Sequence, residues 1–258
     1  MNYAIILLNF AVFIYMLTLS TGLAPSRDQQ QRDFQSQTTG ACYGFRTAPT
    51  PSDEFVCKWA FQPKEFFDNA VSKSDVAAPD RPVILFTIIT ALFLHAGWLH
   101  ILGNMLFLWV FGDNVEDRLG HAGYLVFFLL AGVVATLVQG FIDVNNVVPV
   151  LGASGAIAGV LGAYIVYYPR ATVNVIIPFF ILIFIPIPIP AFIMIGLWFL
   201  QNLFAGVASV NSAVDPNTGV AFFAHIGGFV FGMLTVWLFL RRAGRRQPPR
   251  YPLPQHDD

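Results

Sequence analysis

The chain has 258 residues, of which 56% are hydrophobic and only 11% charged, with a mean hydropathy of +0.63 and a formal net charge of −1. A soluble domain carries about 25% charged residues, so the composition excludes an ordinary soluble domain and indicates a chain that crosses a membrane repeatedly. No basic face exists outside the extreme C-terminus, which leaves nucleic acid nothing to bind. The length accommodates roughly six spans of ~20 residues and one sizeable loop.

The first apolar run covers residues 3–19 and is just long enough to span. A cleaved signal peptide is the alternative, with Gly22 and Ala24 as the small residues before a cut. No Lys or Arg precedes the run, however, and a signal peptide normally carries one there. The expectation is a retained first transmembrane helix within residues 1–22.

Residues 23–96 form a large loop, and its 23–82 part holds 7 of the 14 basic residues, interleaved with proline and phenylalanine. That mixture suggests a folded or membrane-leaning segment. Cys42 and Cys57, the chain's 2 cysteines, both lie here. Their spacing completes no zinc site. In an oxidising compartment a Cys42–Cys57 disulfide is possible, and bridged and unpaired thiols both stay open. Residues 83–94 read as a membrane-dipping end of the loop.

Residues 97–240 read as a core of five spans, at about 97–115, 122–142, 150–168, 190–210 and 220–240. Pro186, Pro188 and Pro190 alternate with isoleucine, which a helix does not accommodate. Residues 173–187 are therefore expected as an apolar excursion at the cytoplasmic side. A basic, proline-rich tail occupies 241–258. Arg118, Arg170 and the tail arginines mark one side of the membrane, while connections 143–149 and 211–219 carry no Lys or Arg. By the positive-inside rule the first set is cytoplasmic. The expected fold is an all-α integral membrane protein of six transmembrane helices, both termini cytoplasmic, with the large loop external between spans one and two.

Polar residues inside a span are functional-site hypotheses by default. His100 and Asn104 lie in span two, Ser154 in span four and His225 in span six. All three spans run from outside to inside, and helical rise puts the four residues roughly 5–12 Å below the external end. His100 and Asn104 share a face at i and i+4. Gly152, Gly155, Gly159 and Gly162 line span four, and Gly228 and Gly232 follow His225 on span six, so the two helices can approach closely. A serine in such a stripe usually does no more than allow packing, and an intramembrane histidine can be structural. One nucleophile, one base and two donors at one depth weaken that reading. Neutral His225 would take the Ser154 proton, and Asn104, His100 and the Ser154 backbone N–H would hold the oxyanion. No Asp or Glu is placed to orient His225, so the sequence suggests a dyad.

HAGWLHILGN (95–104), EDRLG (116–120), GASGAIAG (152–159) and AHIGGF (224–229), in this order on six spans, resemble the rhomboid family of intramembrane serine proteases. The resemblance covers most of residues 83–240. It implies Ser154 as nucleophile, His225 as base, and an oxyanion hole of His100, Asn104 and the backbone at Ala153–Ser154. Gly152 and Gly228 match the family's glycine positions, with Gly155 beside them as further support. Glu116 and Arg118 match a family motif that implies structure rather than chemistry. The implied activity is cleavage of other proteins' transmembrane segments near their external end, without metal, nucleotide or other cofactor. The 23–82 loop does not follow the family pattern.

Two alternatives stand beside that one. An inactive relative would bind membrane-protein clients as a scaffold, but such relatives usually lack the serine or the histidine. A transporter or channel would carry polar residues through the whole depth of a helix, and the cytoplasmic halves of spans four and six are nearly bare of them. The expected partners are transmembrane substrates and the lipid bilayer. The expected location is a bacterial inner (plasma) membrane.

Overall fold

The computed structural model describes residues 1–20, 51–70, 84–179, 183–210 and 221–242. Helix α1 (Asn2–Ser20) comes first, and α2 (Pro51–Trp59) and α3 (Pro63–Ala70) follow. Next, α4 (Ile84–Thr90) passes into a 3-10 turn (Ala91–Phe93), and α5 (Trp98–Leu119) leaves at an 82° bend. Helices α6 (His121–Ile142) and α7 (Ser154–Tyr167) lead to strands β1 (Thr172–Phe179) and β2 (Ile183–Pro190). The described chain ends with α8 (Ala191–Val210) and α9 (Phe222–Arg242).

Three of these helices, at 2–20, 121–142 and 191–209, are long and apolar enough to cross a membrane, and the bent α4–α5 pair makes a fourth if counted as one span. One stretch expected as a span is a shorter helix. The 14 residues of α7 rise only about 21 Å. Helix α7 cannot begin at 150, because Gly152 sits at φ 119°, a conformation outside the helical region. Helix α9 runs for 21 residues, and its apolar sequence continues to Leu240, directly before the paired arginines.

Helix α7 is the hub, with every residue from Gly155 to Tyr164 buried. Its glycines set how near its neighbours come. A Cβ on Gly228 or Gly232 of α9 would strike the carbonyl oxygen of Gly155 or Gly159, and a Cβ on Gly162 would strike that of Phe229. Backbone therefore lies on backbone between α7 and α9. On another side, the positions of Gly155 and Gly159 are closed by the methyl groups of Ala135 and Ala131 of α6. The outward faces are apolar, with Leu99 90% and Phe204 71% exposed, as helices bathed in lipid require.

Helix α1 is fastened to α5 near the chain start. The Asn2 side chain donates to the Leu108 carbonyl at 2.9 Å and accepts from the Tyr124 hydroxyl at 2.9 Å. The Asn2 backbone N–H donates to Glu116 at 2.7 Å. Farther along, Phe13 meets Trp98 edge-on, with ring centroids 5.0 Å apart. Glu116 is buried and also bonds His121. Arg118 donates to the Tyr168 hydroxyl at 3.2 Å and lies over the Tyr167 and Tyr168 rings.

The excursion expected at 173–187 is a two-stranded antiparallel hairpin that pairs Thr172 with Pro190 and Phe179 with Ile183. Ala191 N–H donates to the Ala171 carbonyl at 2.8 Å, which makes the odd-numbered positions of β1 the hydrogen-bonded set. Pro178, Pro186, Pro188 and Pro190 all fall in the other set, where backbone nitrogens point away from the partner strand. Proline therefore costs this ladder no bond.

Candidate active site

The segment before α7 is placed by what surrounds it. Phe61, between α2 and α3, exchanges backbone hydrogen bonds with Val150, at 3.1 and 2.7 Å. Gly152 N–H donates to the Ala91 carbonyl at 2.9 Å. Ser154 then opens α7, so its own backbone N–H belongs to the helix's first turn, where no intrahelical acceptor exists. Ala153, fully buried, precedes it.

Ser154 meets His225 across the α7–α9 contact, Oγ lying 2.8 Å from Nε2. Close helix approach allows this, since a serine side chain is short. Two backbone N–H groups at the start of α9, those of Phe223 and Ala224, donate to the Gln139 side-chain oxygen of α6 at 3.1 and 3.2 Å. Gln139 thus caps the helix that carries His225. Sequence reasoning passed over it.

His100 and Asn104 reach the same cavity as Ser154 and His225, with Trp198 of α8 on its far wall. Ala96 N–H donates to His100 Nδ1 at 3.4 Å, which leaves the ring proton on Nε2 and makes that nitrogen a donor. His95, buried, sets its ring edge-on against His100 with centroids 5.0 Å apart. The Asn104 Nδ2 group is buried and has no hydrogen-bond partner. A buried donor left unspent is expensive and suits an oxygen that arrives with substrate. Gly152 closes this corner: a Cβ there would stand 2.8 Å from His100 Nε2 and 3.8 Å from Asn104 Nδ2.

A second residue absent from the sequence reading touches the histidine. Asn202 of α8 puts its Oδ1 2.6 Å from His225 Nδ1. Its signal was a polar residue in the C-terminal half of an apolar helix, beside Gln201.

The structure thus brings Ser154, His225, His100, Asn104 and the backbone of Ala153 together, with Gly152, Gly155 and Gly228 at the closest contacts around them. Glu116 and Arg118 lie toward the other end of α5. Cys57 is buried in α2 and the described residues contain no free cysteine, while Cys42 falls outside the described residues. Among the described residues no group of three His, Cys, Asp or Glu side chains is placed to hold a metal ion. The arrangement offers a hydroxyl beside an imidazole, with unspent donors next to both: the equipment of acyl transfer.

Comparison with known proteins identifies the family. The family model for the Rhomboid domain matches residues 84–242. The chain is similar to rhomboid-like protein 11, chloroplastic, of Arabidopsis thaliana, being 29% identical over 59% of this chain and 52% of that protein. It is 29% identical to the mitochondrial rhomboid protein 1 of Saccharomyces cerevisiae, over 64% of this chain and 44% of that one. To the human presenilin-associated rhomboid-like protein, mitochondrial, it is 28% identical over 60% of this chain and 38% of that one. The chain thus spans about half the length, or less, of these curated relatives. Their names point to chloroplasts and mitochondria, which gives the expected bacterial inner membrane no support. With the Rhomboid domain matched over more than half of its length, the chain belongs to the rhomboid family.

Proposed function

We propose that this protein is an intramembrane serine endopeptidase that cuts transmembrane segments of other membrane proteins near their external end. The observation that carries the reading is the 2.8 Å approach of Ser154 Oγ to His225 Nε2 beside the unspent Asn104 amide. Neutral His225 accepts the Ser154 proton as Oγ bonds to the substrate carbonyl carbon. The carbonyl oxygen becomes an oxyanion and accepts hydrogen bonds from Asn104 Nδ2, His100 Nε2 and the α7 N-terminal backbone. The imidazolium then gives its proton to the leaving amine, the peptide C–N bond breaks, and an acyl-serine remains. Water, deprotonated by the same imidazole, releases the acid product and restores the serine.

The fold reading that accompanies this is a six-span bundle with both termini on the cytoplasmic face. In that frame the short α7 begins below the external surface, which puts Ser154 within the bilayer. A substrate helix hides its carbonyls in its own hydrogen bonds, so it must unwind locally before attack.

Reaction of the purified protein with a fluorophosphonate serine probe, with cleavage of a model transmembrane substrate alongside, tests the reading. Wild type is expected to be labelled and to cut, and Ser154→Ala and His225→Ala each to lose both. Unlabelled wild type with uncut substrate would replace the protease by a scaffold that binds membrane clients.

A further inference from the structure

We infer that Asn202 is a positioning residue for His225, which makes the site a serine–histidine–asparagine series rather than a dyad. The inference rests on the reading of Ser154 as nucleophile and His225 as base. Asn202 is 6% exposed, on a helix with no ionisable residue. Its Oδ1 lies 2.6 Å from His225 Nδ1, and its Nδ2 donates to the Trp198 carbonyl at 2.8 Å.

The second bond decides what the first one does. An amide can present either its oxygen or its NH₂ to a neighbour. Turned the other way, the Asn202 oxygen would face the Trp198 carbonyl, acceptor against acceptor, and that bond would be lost. The oxygen therefore faces the imidazole, and since it only accepts, Nδ1 carries the hydrogen. Nε2 is then the bare nitrogen, and it points at Ser154 Oγ. Trp198 adds a wall to this arrangement, its ring lying 5.5 Å from the imidazole between centroids. One amide thus selects the tautomer that can act as base and holds the ring on its line to the serine.

Once His225 takes the proton, the bond from Nδ1 becomes charge-assisted and strengthens, so the amide favours the charged form as it develops. An aspartate would do the same more strongly but would need a carboxylate buried beside lipid, which is costly. Papain-like proteases orient their histidine with an asparagine, so a neutral amide suffices for the task. His100 on α5 is the other titratable group at the cavity. The ionisable residues of α6 and α7 (His121, Tyr124, Tyr164 and Tyr167) lie toward the opposite ends of those helices.

Two readouts on the full-length protein in detergent test this. The first is the 15N spectrum of the histidine side chains, with His225 assigned through His225→Ala. Wild type is expected to show a protonated Nδ1 and a bare Nε2, and Asn202→Leu to show the two tautomers mixed. The second is the pH profile of substrate cleavage. Asn202→Leu should lower kcat by roughly 10²-fold with KM little changed, and move the acid limb to lower pH. Asn202→Asp should retain more activity than the leucine variant and move that limb to higher pH, since a carboxylate favours the imidazolium. A wild-type tautomer and pH profile in the well-folded leucine variant would overturn the inference. So would equal losses in both variants that follow their melting temperatures. Wild type with the fixed tautomer but no cleavage would defeat the protease reading and leave the positioning intact.

Discussion

Gly152 stands at φ 119° with the His100 ring where its side chain would be. Both facts oppose any other residue. Gly152→Ala forces an L-residue into a backbone region that costs about 1–3 kcal/mol and pushes the imidazole off its place. The expected result is a folded protein with a much reduced kcat, measured on the model substrate. On the proposed mechanism His225 sets the acid side of the rate profile, because only the neutral ring can take the Ser154 proton. Cleavage should fall as the medium is acidified through its titration, and a flat rate over that range would remove it as base. Ser154, His225, His100 and Asn104 were legible in the sequence because each is a polar interruption in an apolar run at a similar depth. Asn202 was not, for a specific reason. Gln201 and Asn202 are adjacent, and only the rotation of α8 decides which faces inward: Gln201 is exposed and Asn202 buried. Composition cannot supply that angle.

At the scale of elements, the contact between α7 and α9 governs the site, because it sets the distance from hydroxyl to imidazole. Gly232→Val would drive a side chain into the Gly159 carbonyl. Overpacking of this kind costs about 1–3 kcal/mol, so the variant should melt at lower temperature and lose probe labelling of Ser154. Gly196→Ala on α8 is the control, since nothing lies within 4 Å of a Cβ there, and it should label as wild type does. Gln139→Leu leaves the Phe223 N–H without its side-chain acceptor and the Ala224 N–H with the Ala221 carbonyl alone. The loss of a cap, about 1 kcal/mol, should appear as a lower melting temperature in detergent. The glycine stripes announced this packing, since small residues at helical spacing have few other uses in a membrane. The hairpin was legible only as the exclusion of helix. Its strand pairing depends on which backbone nitrogens turn inward, and that follows from register rather than from the presence of prolines.

For the whole molecule, the described part of the segment between α1 and α4 is not an appendage. Phe61 is fully buried and tied to Val150, and the Thr90 hydroxyl donates to the Trp59 carbonyl at 2.6 Å. The loop therefore supports the segment from which Ser154 emerges, and this follows from neither its charge nor its length. The proposed six-span topology is checked by accessibility. Cysteines introduced at Asn146 and Arg170, in a background without Cys42 and Cys57, should react with a membrane-impermeant thiol reagent from opposite faces of a sealed vesicle. Labelling of both from one face would overturn the topology.

The hairpin carries one more consequence. Pro186, Pro188 and Pro190 leave the outer margin of β2 without N–H groups at three alternate positions. A strand from another molecule would find carbonyls there but no donors, so the sheet cannot grow on that side. An open edge is a template for self-association, and on the β2 margin proline removes the donors that such a template needs. Replacing Pro186 and Pro188 with valine would restore two of the three missing donors, and the variant is expected to form detergent-resistant oligomers through β2, read by size-exclusion chromatography, that wild type does not form.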